Sequence, residues 1–139
     1  MICDTSALIA FFNGADPDHA RVVTVMESAR PPMVVSPLML AELDYLILDR
    51  IGDDTARRAV GSLIGGRFEV ASCTPADITA ALDGDSRYEA LGIGLTDASL
   101  VVLAHRYRTV NLATLDERPF RAVRPLDGSP AFHILPADA

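Results

Sequence analysis

Four of the nineteen acidic residues in this 139-residue chain stand where surface acids do not usually stand. Asp4 follows Met1-Ile2-Cys3, a run too short and too apolar for anything but a buried strand. Leu8, Ile9, Phe11 and Phe12 then recur at near-helical spacing, so the chain turns from strand to helix at residues 4–6. That sets a carboxylate at the carboxyl end of a strand, where open α/β sheets place their active sites. Asp116 ends a second apolar run, Val110-Asn111-Leu112-Ala113-Thr114-Leu115. Two parallel strands ending in aspartate at one sheet edge bring two carboxylates together. Asp97 falls in the first turn of a helix that points back at the same edge. Glu42 has Leu38, Met39, Tyr45 and Leu46 three and four residues away, on its own helical face. Asp44 has equally apolar neighbours in Leu40, Ala41, Ile47 and Leu48, so periodicity leaves open which of the two faces inward.

An unpaired carboxylate is costly to bury, and a cluster of four costs more. A divalent cation removes that cost, because Mg²⁺ and Mn²⁺ favour carboxylate and water oxygens. The reading is a hard-metal site without histidine or thiolate ligands. Each acid also has a plainer use: Asp97 complements a helix dipole, Asp116 before Arg118-Pro119 forms a turn, and Asp4 caps the following helix. His19, His105 and His133 lack metal-ligand spacing. Cys3 and Cys73 each fall in a candidate buried strand and read as small core hydrophobes, neither a disulfide nor a zinc site.

The elements that must hold these acids follow from punctuation and period. Asn13-Gly14-Ala15-Asp16-Pro17 is a turn cluster, with Asp16 expected to cap a helix over 17–29. Strands are expected at 33–36, 67–72 and 110–115, with a possible edge strand at 132–135. Helices are expected over 37–50 and 54–64, then from the Thr74-Pro75 start, faltering near Gly84-Asp85 and resuming through Leu91. A further helix is expected over 96–107, and a short turn at 117–120. Strands alternate with helices throughout, which predicts a three-layer α/β/α sandwich around a mostly parallel sheet of about five strands, as one domain over 1–139.

Half the residues are hydrophobic and the mean hydropathy is +0.25, enough for a core that buries roughly two-thirds of the unfolded surface. No apolar run approaches the roughly 20 residues of a membrane span. A cleaved leader is not expected either, because the first strand begins at Met1; the expectation is a cytoplasmic protein. Net charge is −7, which argues against a domain that grips nucleic acid with its whole surface. All twelve basic residues are arginines. Codon usage accounts for that as readily as the guanidinium's fit to phosphate.

Four blocks, in order, carry a family resemblance. They are Ile2-Cys3-Asp4-Thr5-Ser6-Ala7-Leu8; Val35-Ser36-Pro37-Leu38-Met39-Leu40-Ala41-Glu42; the run from Tyr88-Glu89-Ala90-Leu91 through Gly92-Ile93-Gly94-Leu95-Thr96-Asp97-Ala98-Ser99-Leu100; and Leu112-Ala113-Thr114-Leu115-Asp116-Glu117-Arg118-Pro119-Phe120. Over essentially its whole length the chain resembles PIN-domain ribonucleases of the VapC type, the toxins of bacterial toxin–antitoxin modules. The resemblance implies that Glu42, not Asp44, is the helix acid, and that Asp4, Glu42, Asp97 and Asp116 are a catalytic quartet binding Mg²⁺ or Mn²⁺. It implies supporting hydrogen bonds from Ser6 and Thr114, and Phe120 packed under the site. The implied reaction is endonucleolytic hydrolysis of structured RNA, such as tRNA or rRNA, by metal-activated water, leaving 5′-phosphate and 3′-hydroxyl ends. The implied partners are the RNA substrate, a VapB-type antitoxin and a second copy in a homodimer. Arg57 and Arg58 on one helix, and Arg118, Arg121 and Arg124 beyond Asp116, are the candidates for RNA contact.

Other acidic Mg²⁺-binding α/β domains fit less well. A phosphatase of the haloacid-dehalogenase type wants a second aspartate where this chain has Ser6, and a lysine, which it lacks. A receiver domain also needs that lysine. Dinucleotide binding lacks its Gly-rich loop. A non-catalytic PIN scaffold remains as the alternative that keeps the fold without the chemistry.

Overall fold

The apolar runs and amphipathic segments assemble into alternating strands and helices in the computed structural model, which describes residues 1–87 and 92–139. In chain order they are β1 (Ile2–Cys3), α1 (Thr5–Phe12), α2 (His19–Ser28), β2 (Met33–Val35), α3 (Pro37–Arg50) and α4 (Asp53–Ser62). There follow β3 (Phe68–Val70), α5 (Pro75–Arg87), α6 (Leu95–Arg106), β4 (Asn111–Ala113), α7 (Glu117–Ala122) and β5 (His133–Leu135).

The strands form one sheet in the order β3-β2-β1-β4-β5, and every pair is parallel. Cys3 is level with Val35 on one side and Ala113 on the other. β1 and β2 are buried throughout, as apolar strands covered on both faces must be. The edge strands β3 and β5 each expose a polar residue, Glu69 and His133. Crossovers between parallel strands are right-handed almost without exception, which for this strand order assigns α1 to α4 to one face and α5 to α7 to the other. The chain adds β2 and β3 on one side of β1, then crosses back to add β4 and β5 on the other. The reversal between β1 and β4 is where sheets of this kind open a crevice at their carboxyl edge.

A single apolar cluster runs from both faces of the sheet into the helices. On α3 the inward stripe is Met39, Leu43 and Ile47, each fully buried and four residues from the next. Leu43→Ala should therefore cost about 3 kcal/mol by leaving a cavity, read as a lower urea midpoint at unchanged slope. No helix among the described residues is long and apolar enough to cross a membrane.

Several boundaries depart from the sequence reading. Asp16 does not cap a helix beginning at Pro17: its Oδ1 accepts from the Asp18 amide at 2.9 Å, closing a turn, and α2 begins at His19. The helix expected to falter at Gly84-Asp85 runs unbroken to Arg87; its expected continuation to Leu91 lies outside the described residues. The segment after Asp116 is a six-residue helix rather than a turn. β4 stops at Ala113, two residues before the expected end. The Thr114 amide still donates to the Leu135 carbonyl at 3.0 Å, while its side chain turns to Asp4.

Candidate active site

The carboxyl edge of β1 and β4 is built around one oxygen. Asp4 is the N-cap of α1, with extended backbone, and is 7% exposed. Its Oδ2 accepts from Ser6 Oγ at 2.6 Å, from Thr114 Oγ1 at 2.7 Å and from the Ser6 amide at 3.4 Å. Thr114 is 1% exposed, and its Oγ1 also accepts from the Asp116 amide at 3.1 Å. Ser6 Oγ accepts from the Leu115 amide at 2.9 Å. The expectation that Asp4 and Asp116 meet as strand-end neighbours is thus refined. Level with Asp4 across the sheet is Thr114, which binds its carboxylate, while Asp116 lies two residues beyond as the N-cap of α7. Two hydroxyls lock the β1 and β4 ends together and fix the Asp4 carboxylate.

Two helix starts bring the other acids in. Ser36 caps α3 through its Oγ, which accepts from the Leu38 amide at 3.3 Å, and Pro37 sits at the first helical position. Asp97 is in the first turn of α6, after Gly94 as N-cap. The two starts are pinned by Ser36 and Ser99, both buried, whose hydroxyls lie 2.8 Å apart. Ser99 Oγ donates to the Thr96 carbonyl at 2.6 Å. Glu42 is steadied from α1, where Thr5 Oγ1 donates to its Oε2 at 3.4 Å.

Asp4, Glu42, Asp97 and Asp116 all line one cleft of about 280 Å³, floored by Ile9, Leu46, Pro119 and Phe120. Asp44 does not line it, so the alternative left open by periodicity closes on Glu42. The acids are graded in exposure: Asp4 is buried, Asp97 intermediate, and Glu42 and Asp116 open to solvent. Their proximity is felt at Asp97. Burial and the negative charges of Asp4, Glu42 and Asp116 push its carboxyl up to about 6. Arg118 approaches Asp116 at 3.5 Å, with both side chains largely exposed. Phe120 is buried beneath the cleft and meets Phe132 edge-on, as expected.

The donor set is oxygen only, which suits a hard cation. The raised Asp97 carboxyl reflects its burial first and the neighbouring negative charges second, both of which a cation would offset. Among the described residues no three His, Cys, Asp or Glu side chains are already arranged to hold a metal ion. Open, mutually repelling carboxylates account for that, since Mg²⁺ keeps several waters and needs only one or two direct carboxylates.

A protein-family model described as the PIN domain matches residues 1–125. The chain belongs to the PIN-domain family. This PIN domain is 46% identical over 136 residues to Ribonuclease VapC26 of Mycobacterium tuberculosis, spanning 98% of this chain and 100% of that protein. It also matches the crystal structure of VapC20 of the same organism, described as a Sarcin-Ricin loop cleaving toxin, with TM-score 0.77. The match covers 83% of this chain and 88% of that one. At 22% identity this likeness speaks for the fold, the expected α/β/α sandwich with its parallel sheet.

Three features of the PIN-domain site escaped the sequence reading. Thr5 supports Glu42, and the only available signal was a second hydroxyl beside Asp4. The Ser36–Ser99 contact joins residues 63 apart, which no local pattern reveals. Arg50 lines the cleft with Glu42 and Leu46, and here the period was readable, since 42, 46 and 50 are each four residues apart on α3.

Proposed function

We propose that this PIN domain is a divalent-metal-dependent endoribonuclease of the VapC toxin type. The observation that carries the reading is the convergence of Asp4, Glu42, Asp97 and Asp116 on one cleft at the reversal point of the sheet. The 46% identity to Ribonuclease VapC26 over the whole of that protein supports the same chemistry.

Asp4, Asp97, Asp116 and Glu42 would hold Mg²⁺ or Mn²⁺. The metal, when bound, lowers the pKa of a water and offsets charge at the scissile phosphate. The chain's own residues do the positioning. Ser6 and Thr114 hold one oxygen of Asp4, whose carboxylate lines the cleft. Thr114 ties that carboxylate to the backbone of Asp116, so the two acids move as one unit. Asp97 and Glu42 approach from two helix starts joined through Ser36 and Ser99. The partly buried wall of Ile9, Leu46 and Phe120 lowers the local dielectric around the acids.

As a toxin, the protein would be held in check by a VapB-type antitoxin and would assemble as a homodimer in the cytoplasm. Light scattering on the purified chain checks the dimer. The nuclease reading is tested by induction in cells followed by transcriptome-wide mapping of 5′-phosphate ends. New ends clustered in tRNA or rRNA loops are expected. In vitro, EDTA should abolish cleavage, and added Mg²⁺ or Mn²⁺ should restore it. Cleavage that persists in EDTA would remove the metal from the account.

A further inference from the structure

A nuclease with four carboxylates in its cleft and a net charge of −7 must still hold a polyanion there. Metal at the scissile phosphate leaves the neighbouring phosphates facing acids, so a local cation is needed to seat the strand. Of the five arginines expected to touch RNA, none lines the acidic cleft and three are already engaged. Arg57 is paired with Asp53, and Arg121 is held by both Glu117 and Asp138, while Arg118 leans on Asp116 itself. Arg50 combines two features that none of the five does: it lines the acidic cleft, and among the described residues no ion pair or hydrogen bond engages its guanidinium.

Resting on the ribonuclease reading above, we propose that Arg50 binds an RNA phosphate flanking the scissile one and so sets how the strand lies across the acids. Glu42, Leu46 and Arg50 form one stripe along α3. Eight residues of helix separate Glu42 from Arg50 by about 12 Å along the axis, enough to carry the strand past the scissile phosphate to a neighbouring one. Leu46, between them and half-buried, offers an apolar patch for a ribose or base. A guanidinium takes two phosphate oxygens at once, which fixes direction as well as position. The stripe therefore presents, in order, an acid for the reacting centre, an apolar contact and a phosphate fork. That arrangement suits an unpaired strand, whose bases are free to turn out, better than a duplex.

Arg50→Ala and Arg50→Lys separate this role from a structural one. With metal present, Arg50→Ala should raise KM for RNA about tenfold while kcat stays within about twofold, and Arg50→Lys should recover part of the loss. A short fluorescein-labelled single-stranded RNA, with Ca²⁺ replacing Mg²⁺, gives binding without turnover. The slope of log affinity against log salt should fall by about 0.7 in Arg50→Ala, one phosphate contact on a single strand. Arg30→Ala, an exposed arginine off the acidic cleft and outside the RNA-contact candidates, should change neither quantity. An unchanged KM and salt slope in Arg50→Ala would overturn the proposal, as would a fall in kcat at constant KM. The binding arm needs no cleavage, so failure of the nuclease reading would show separately, as a wild-type protein that binds RNA but does not cut it.

Discussion

Asp4→Asn should abolish RNA cleavage while leaving the fold intact. The substitution keeps the side chain's shape and an oxygen able to accept from Ser6 and Thr114, so the hydrogen-bonded junction between β1 and β4 survives. What it removes is the charge of the most buried acid in the cleft. Loss of an outer hydrogen-bond partner of a metal ligand typically costs about 10–100-fold in activity; loss of the ligand's own charge should exceed that. A labelled RNA cleaved by wild type and variant in Mg²⁺ reads the ratio. A thermal melt shows that the variant is folded. Asp44→Asn supplies the internal control. It removes an equal charge from the same helix, two residues from Glu42 but off the cleft, and should leave cleavage near wild type. If Asp4→Asn retained more than about a tenth of wild-type activity, its place as a metal ligand would be lost.

That the acids with Ser6, Thr114 and Phe120 were legible in the sequence or its family resemblance, while Thr5, the Ser36–Ser99 contact and Arg50 were not, has a physical basis. Asp4 and Asp97 are betrayed by their neighbours in the chain: an apolar strand ending in an acid, and an acid in the first turn of an apolar helix. These are local signals, and the structure places both acids on the one cleft. Glu42 and Asp44 share the same apolar surroundings, and what separates them is the direction of α3 against the cleft, a tertiary fact. The link between Asp4 and Asp116 was read as two strand ends side by side. The register pairs Cys3 with Ala113 and so puts Thr114 opposite Asp4, where its hydroxyl binds the carboxylate. The start of α2 was misread because an aspartate before a proline serves equally as a helix cap and as a turn, and Asp16 closed a turn. The arginines were the least legible. On the RNA-binding proposal their worth depends on which are already paired: Arg57 and Arg121 are, and among the described residues Arg50 is not.

Asp97→Asn should move stability and activity in opposite directions. In the metal-free protein the Asp97 carboxyl is raised from 3.8 to about 6, first by burial and then by Asp4, Glu42 and Asp116. A carboxyl whose folded value is raised binds its proton more tightly in the folded state. The stability it contributes is present below about pH 4 and is lost as pH rises through about 6. At pH 7 the folded protein therefore carries a charge it would rather not have, and Asn removes it. Two units would carry roughly 3 kcal/mol; because the side chain is partly open to solvent, about 1 kcal/mol is the expected gain. Melts of the metal-free proteins should show Asp97→Asn above wild type at pH 7, with the two converging near pH 4. Adding Mg²⁺ or Mn²⁺ should reverse the order. Metal that binds only the folded state stabilises wild type in proportion to its affinity, and the variant has lost a carboxylate from the site. Cleavage should fall in the variant under the same conditions. Melting curves that keep one order with and without metal would mean that Asp97 is strained for some purpose other than holding a cation. On the metal-site proposal the instability would belong to the site's work: the fold holds four like charges on one cleft, and a divalent ion would offset them.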